Sequence, residues 1–271
     1  MSFEKIAILG GGNLGSSIAQ GIISAGITQA NHIKVTRRRV HLLDKLKEIG
    51  IVVMAENDKA VKDASLIILA VKPHQINSLL AEVAEHIVAS KPLVVSVITG
   101  VSIAQLKESL PGVSIVRAMP NTAIALCDSM TCISGDGESK ESEKKVKEFF
   151  DQLGETIVIN EELMGAATVV GACGIAFALR FMRAMSQGGI EIGFGAEVSQ
   201  LITAQTIKGA ARLILESNNH PEKEIDKVTT PMGVTISGLN EMEHQGFSSA
   251  VIKGLLTSFN KLDLMKTKKS E

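Results

Sequence analysis

The sequence predicts a two-part α/β chain, with a parallel sheet covered by helices over residues 1–161 and an all-helical region over residues 162–271. Three observations predict it. Short apolar, β-branched runs (Ile6–Leu9, Ile51–Ala55, Leu66–Val71, Leu93–Ile98) alternate with helix-like segments, the pattern of a sheet buried on both faces. "TIVI", Thr156–Ile159, reads as the last strand, which puts the boundary near Asn160–Leu163. The chain then runs without a charge from Leu163 to Leu179, and helical periodicity replaces strand signals.

The first strand, Ile6–Leu9, leads directly into Gly10-x-Gly12-x-x-Gly15, and Leu14, Ile18, Ile22 and Ile23 then recur at helical spacing. Glycines between a strand and a helix are the context a dinucleotide-binding, Rossmann-type turn requires: one allows the tight turn, one admits the pyrophosphate, and one lets helix and strand approach. Gly10, Gly12, Asn13, Leu14 and Gly15 are therefore candidate cofactor contacts, with the helix start facing the phosphates.

The second strand carries Ile33 and Val35 and ends in Thr36-Arg37-Arg38-Arg39, about 20 residues past the glycines. An NAD enzyme places Asp or Glu there to hold the ribose hydroxyl. A hydroxyl followed by guanidinium groups suits the 2′-phosphate of NADP instead, so Thr36, Arg37 and Arg38 point to NADPH, with NADH the weaker cofactor. In open α/β sheets ligands lie beyond the carboxyl ends of the strands, which puts "VKPHQ" (Val71–Gln75) and "RAMPNTA" (Arg117–Ala123) along the cofactor's path. Lys72 and His74 are equally readable as solvated or capping residues. "GDGESKESEKKVKEFFDQLG" reads as a loop and an amphipathic helix with Val146, Phe149, Phe150 and Leu153 on one face.

The uncharged run Leu163–Leu179 is 17 residues long and rich in Gly and Ala. That is short of the roughly 20 apolar residues a membrane span needs, so burial in protein is expected, partly against a second subunit.

Composition narrows the chemistry. The chain has a formal charge of −1, so no basic field is available for nucleic acid or an anionic membrane. Three cysteines without a C-x-x-C favour a reducing compartment over a disulfide framework or a zinc site, and no metal is expected. The start lacks a secretion pattern, which makes the cytoplasm the expected location. With no Tyr anywhere, a tyrosine proton donor of the short-chain dehydrogenase type cannot be written. No Lys occurs from Glu148 through Ile207, which removes the lysine that β-hydroxyacid dehydrogenases carry on the first long helix of this region.

Five stretches, "GGGNLG", "AVKPHQI", "RAMPNTA", "GACGIAFAL" and "DKVTTPMGVTISGLNEMEHQGF", resemble the pyrroline-5-carboxylate reductase family along nearly the whole chain. Met232 and Val234 depart from the family's small residues, and Cys173, Ile175 and Phe177 from its S-G-x-G-P-A-Y. The resemblance implies NADPH-dependent reduction of the cyclic imine 1-pyrroline-5-carboxylate to L-proline by a homodimer or larger homo-oligomer whose long helices interlock. It implies a substrate carboxylate on Thr230 and the N–H groups of Gly233, Val234 and Thr235, with the Thr235 hydroxyl acting on the ring nitrogen as the catalytic group. It also brings Asn57 near the adenosine ribose, and Ala70, Val71, Lys72, Pro73, Met119, Pro120 and Asn121 along the nicotinamide half of the cofactor. Two other readings remain open: a reductase of a different cyclic imine, and a non-catalytic NADP-binding regulatory protein.

Overall fold

A computed structural model describes residues 3–137 and 139–267; Glu138 of the expected loop and positions 268–271 of the expected helical region lie outside them. The described residues form two compact units, one of residues 3–137, 139–173 and 261–267, the other of residues 174–260.

The first unit is built on one eight-stranded sheet: β1 (Ile6–Leu9), β2 (Ile33–Thr36), β3 (Val52–Met54), β4 (Leu66–Leu69), β5 (Leu93–Ser96), β6 (Ile115–Met119), β7 (Ser129–Gly135) and β8 (Gly154–Val158). Its order is β3-β2-β1-β4-β5-β6-β7-β8. Chain order reverses at β1, between β2 and β4, the switch point where open sheets leave a crevice for ligands. β1 and β4 show no alternation because both faces are covered, and every residue of Ile6–Leu9 and Leu66–Leu69 is buried.

The helices of this unit are α1 (Asn13–Ser24), α2 (Asp44–Glu48), α3 (Asn57–Val61), α4 (Ile76–Ser90), α5 (Ile103–Ser109), α6 (Lys140–Phe150) and α7 (Met164–Ala167). Ile18, Ala19 and Ile22 of α1 pack on one face of the sheet, in the same cluster as Phe149 and Phe150 of α6. Leu79, Leu80, Val83 and Ile87 of α4 pack on the other face with Leu106 of α5. Burying each such side chain contributes about 1.5–3 kcal/mol, which is why this unit is a closed core.

Three expectations are corrected. The central strands are shorter than their apolar runs, because the chain leaves the ladder at Met54, Leu69 and Ser96. The sheet is not wholly parallel: β7 runs antiparallel to β6. The nine residues joining them are too few for a helical crossover, so the chain turns back beside itself. β6 and β7 also escaped the sequence reading, since Arg117, Ser129, Thr131 and Ser134 interrupt their apolar pattern although all four are buried.

The second unit contains α8 (Gly174–Glu191), α9 (Ala196–Ser217), α10 (Pro221–Lys227), α11 (Val234–His244) and part of α12 (Phe247–Thr267). α8 and α9 pack through small residues: the Ser199 hydroxyl donates to the Ser186 carbonyl at 2.8 Å, and a Cβ on Gly189 would overlap the Ser199 hydroxyl. Yet α8 buries no residue fully, and α9 buries only Ser199 and Thr203.

A π-turn, Thr168–Cys173, joins α7 to α8, making one helical run of 31 residues from Glu161 to Glu191. By length and composition, with mean hydropathy 1.7 over 18 residues, the run is long enough to cross a membrane, although the uncharged stretch itself is shorter. Only 17% of that window is buried within the chain, so its apolar surface lacks a cover here.

Candidate active site

The glycine turn is shaped by contacts that leave no room for side chains. Gly10 has φ +116°, and a Cβ there would sit 2.5 Å from the Ala70 carbonyl oxygen at the exit of β4. The N–H groups of Gly10 and Gly11 donate to the Thr36 carbonyl at 3.2 and 2.7 Å, which ties the turn to the end of β2. A Cβ on Gly15 would overlap the Gly10 carbonyl, so glycine is what lets α1 start this close to β1. At Gly12, by contrast, a Cβ would meet nothing within 4 Å: the loop surface here is open. Gly12 caps α1 with no side-chain acceptor, so the first-turn N–H groups of Asn13, Leu14 and Gly15 point out of the helix without an intrahelical partner. Open space above outward-pointing donors is what a pyrophosphate requires.

The end of β2 carries no acid. Thr36 is buried and its hydroxyl donates to Asn57 Oδ1 at 2.6 Å, while Asn57 Nδ2 donates to Glu82 Oε2 at 2.7 Å. The chain Thr36–Asn57–Glu82 fixes which way the amide faces. Glu82 comes from α4 and was missed, because no sequence spacing links positions 57 and 82; only the sheet brings them together. Arg37 Nη1 donates to the Gly11 carbonyl at 2.9 Å, so one of its N–H groups is already engaged, while Arg38 and Arg39 are exposed. The guanidinium is thereby held against the glycine turn, with its remaining donors available for a phosphate.

Ala70 and Val71 leave β4 half-buried, with the Ala70 N–H on the Leu9 carbonyl at 2.8 Å, and the Lys72 N–H donates to Gln75 Oε1 at 3.2 Å. Pro73 opens a 3₁₀ turn there. Met119, Pro120 and Asn121 end β6 and are buried. Asn121 Oδ1 accepts from the Ala123 N–H at 3.0 Å, and its Nδ2 donates to the Gly171 carbonyl in the π-turn at 3.2 Å. Its side chain is therefore a strut between β6 and the π-turn, satisfying a carbonyl within the widened helical register.

In the second unit, the segment from Thr229 to Gly233 joins α10 to α11. Glu224 anchors its entry: Lys227 donates to the carboxylate at 2.7 Å and Asn219 at 2.6 Å, and these donors hold its pKa below the usual carboxylate value. Thr230, Val234 and Thr235 are exposed. The Gly233 N–H donates to the Thr230 carbonyl at 2.9 Å, which corrects its expected role as a carboxylate donor: this N–H is already spent on closing the turn. Gly233 caps α11 without a side-chain acceptor, so Val234 and Thr235 in the first helical turn supply the outward N–H groups. Met232 has φ +59° and is fully exposed. A side chain in this left-handed region is uncommon outside Gly, Asn and Asp.

Among the described residues, no group of three or more His, Cys, Asp or Glu side chains forms a metal cluster.

Comparisons with known proteins cover both units. Residues 161–265 match a family model described as pyrroline-5-carboxylate reductase dimerisation, and residues 5–100 match one described as NADP oxidoreductase, coenzyme F420-dependent. Two relatives come from Dictyostelium discoideum. Pyrroline-5-carboxylate reductase 1 is 45% identical over 98% of this chain, and pyrroline-5-carboxylate reductase 2 is 44% identical over 95% of it. The chain spans 50% of the length of the first and 92% of the second. A crystal structure of Plasmodium falciparum pyrroline carboxylate reductase with NADP bound matches with a TM-score of 0.87 at 25% identity, over 98% of this chain and 99% of that one. With its dinucleotide-type sheet, its helical dimerisation region and relatives of this identity along its length, the chain belongs to the pyrroline-5-carboxylate reductase family.

Proposed function

We propose that this chain is an NADPH-dependent reductase that converts 1-pyrroline-5-carboxylate to L-proline. The observation that carries the reading, given the family, is the uncharged segment ahead of α11, where the outward N–H groups of Val234 and Thr235 stand beside the hydroxyls of Thr230 and Thr235. Such a segment suits this substrate. An imine nitrogen is readily protonated in water, so the protein need not supply a strong acid; it must orient the ring and exclude solvent. The Val234 and Thr235 N–H groups bind the carboxylate as helix starts bind anions. The Thr235 hydroxyl hydrogen-bonds the ring nitrogen and fixes which face of the imine carbon is presented. NADPH, when bound, supplies the hydride.

The cofactor site is assigned to Gly10, Gly12, Asn13, Leu14 and Gly15 for the pyrophosphate, and to Thr36, Arg37, Arg38 and Asn57 for the adenosine half. Ala70, Val71, Lys72, Pro73, Met119, Pro120 and Asn121 frame the nicotinamide half, Met119 and Asn121 by shaping the backbone. The absence of an acid at the end of β2 supports NADPH over NADH. The exposed apolar surface of α8 and α9 supports a homodimer as the working unit. The three free cysteines support a reducing, cytoplasmic setting.

A second reading has its own observation. Met232 and Val234 are 102% and 91% exposed and project from the substrate segment, where they would trim the space for a ring. The test is NADPH oxidation with 1-pyrroline-5-carboxylate beside its six-membered homologue, repeated with NADH and with the amino acid product identified. Faster turnover of the five-membered ring with NADPH is expected. A preference for the larger ring would favour the second reading, and cofactor binding without oxidation of NADPH would make the chain a non-catalytic NADP binder.

A further inference from the structure

No acid stands on β2 itself, yet a carboxylate reaches its end from another element. Glu82 on α4 accepts from Asn57 Nδ2 at 2.7 Å, and Asn57 Oδ1 accepts from the Thr36 hydroxyl at 2.6 Å. An ionised carboxylate only accepts hydrogen bonds, so Glu82 holds the amide nitrogen toward itself and the amide oxygen toward Thr36. One amide and two short bonds put the Glu82 carboxylate within about 8 Å of the Thr36 hydroxyl. Its charge is not cancelled locally. Among the described residues no Lys, Arg or His pairs with Glu82, whereas Glu56, next to Asn57 in the chain, is paired with Lys59 at 3.0 Å.

Glu82 has two opposing effects on a nucleotide bound at this end of the sheet, and their sizes decide the sign. Holding the Asn57 amide in one of two orientations is worth at most about a factor of two in affinity, and it acts alike on nucleotides with and without a 2′-phosphate. Charge acts on the phosphate alone. A 2′-phosphate held by Arg37, the residue after Thr36, would lie on the order of 10 Å from the Glu82 carboxylate and carry nearly two negative charges. At low ionic strength, where screening reaches only over about 30 Å, that repulsion weakens binding about threefold to tenfold, so it outweighs the gain from orientation.

Resting on the NADP reading above, we propose that Glu82 is a specificity-determining residue: its carboxylate, joined to the end of β2 through Asn57, stands in for the acid that NAD enzymes carry on that strand and keeps the preference for NADPH over NADH narrower than Arg37 and Arg38 alone would make it.

The test is calorimetric binding of NADP⁺ and NAD⁺ to the full chain and to Glu82→Gln, Glu82→Ala and Glu85→Gln, at about 10 mM and about 0.5 M salt, with melting temperatures recorded. Glu82→Gln keeps an acceptor for Asn57 and removes only the charge. Glu85 is also exposed on α4, one turn further from the strand ends and without a bond to Asn57, and serves as the control. At low salt both Glu82 variants should tighten NADP⁺ about threefold to tenfold, leave NAD⁺ within about twofold, and lose most of that gain at high salt, while Glu85→Gln should leave the ratio of the two affinities within about twofold. A ratio unmoved by Glu82→Gln, a gain that high salt does not reduce, or an equal gain in Glu85→Gln would overturn the proposal while leaving the cofactor reading intact. If the unaltered chain bound neither nucleotide, the cofactor reading itself would fall, and the role of Glu82 with it.

Discussion

The two units of this protein are stabilised in different ways. In the first, strands such as Leu66–Leu69 are buried on both faces and the helices close over them. In the second, large apolar side chains such as Leu201 and Leu215 are 71% and 75% exposed within the chain. The difference teaches where each unit obtains its stability: the sheet unit from its own core, and the helical unit, in the homodimer proposed above, from apolar surface that its own chain leaves exposed. It also separates the two kinds of ligand contact proposed above. The glycine turn offers rigid backbone donors set by strand packing, whereas the segment ahead of α11 offers backbone donors on an exposed helix start.

Substitutions that act on one unit and spare the other sharpen this contrast. Phe150→Ala should have the largest effect on stability: Phe150 is fully buried beside Phe149 and Leu153, and its truncation should cost about 3–5 kcal/mol in chemical denaturation. Leu201→Ala should instead leave single-chain stability nearly unchanged and weaken association, seen as a steeper dependence of melting temperature on protein concentration. If both variants lost stability alike in a concentration-independent way, the contrast would be wrong.

Thr235→Ala comes next, with turnover falling by about a hundredfold, as for loss of one preorganised donor to a reacting group, and with little change in melting temperature. Equal loss of both would make Thr235 a structural residue. Arg37→Ala with Arg38→Ala should weaken NADPH by roughly tenfold to a hundredfold while hardly affecting NADH, since a phosphate contact is removed. Comparable weakening of both cofactors would show that Arg37 serves mainly to hold the Gly11 carbonyl.

The smallest effect concerns pH. Lys227, and then Asn219, lower the folded-state pKa of Glu224, so its contribution is complete above the ordinary carboxylate range and is lost as pH falls through the depressed folded value. Amide protection factors in α10, corrected for intrinsic exchange, should therefore fall on the acid side, and Glu224→Gln should flatten that dependence. An unchanged acid limb in Glu224→Gln would remove Glu224 as the anchor of the segment.

Much of the fold is legible in the sequence, for a physical reason. Gly10, Gly12 and Gly15 adjoin the apolar run Ile6–Leu9 and the helix that follows, so strand, turn and helix declare themselves within 20 residues. Thr36 and Arg37, proposed for the adenosine half, stand at a fixed spacing from that turn. Glu82 and Glu161 were not readable, because their partners Asn57 and Arg117 lie 25 and 44 residues away and meet only through the sheet. β7 was hidden by its buried hydroxyls, whose hydrogen bonds cannot be read from hydropathy. The engaged N–H of Gly233 was invisible too, since a helix cap specifies orphan donors but not the turn that uses one of them.

The most direct test is a crystal structure of the chain with NADP⁺ and L-proline bound. The nucleotide should lie with its pyrophosphate over Gly12 and the start of α1, and the proline carboxylate should accept hydrogen bonds from the Val234 and Thr235 N–H groups. A proline molecule bound away from α11, or a pyrophosphate held elsewhere than on the glycine turn, would contradict this division of labour between sheet and helices.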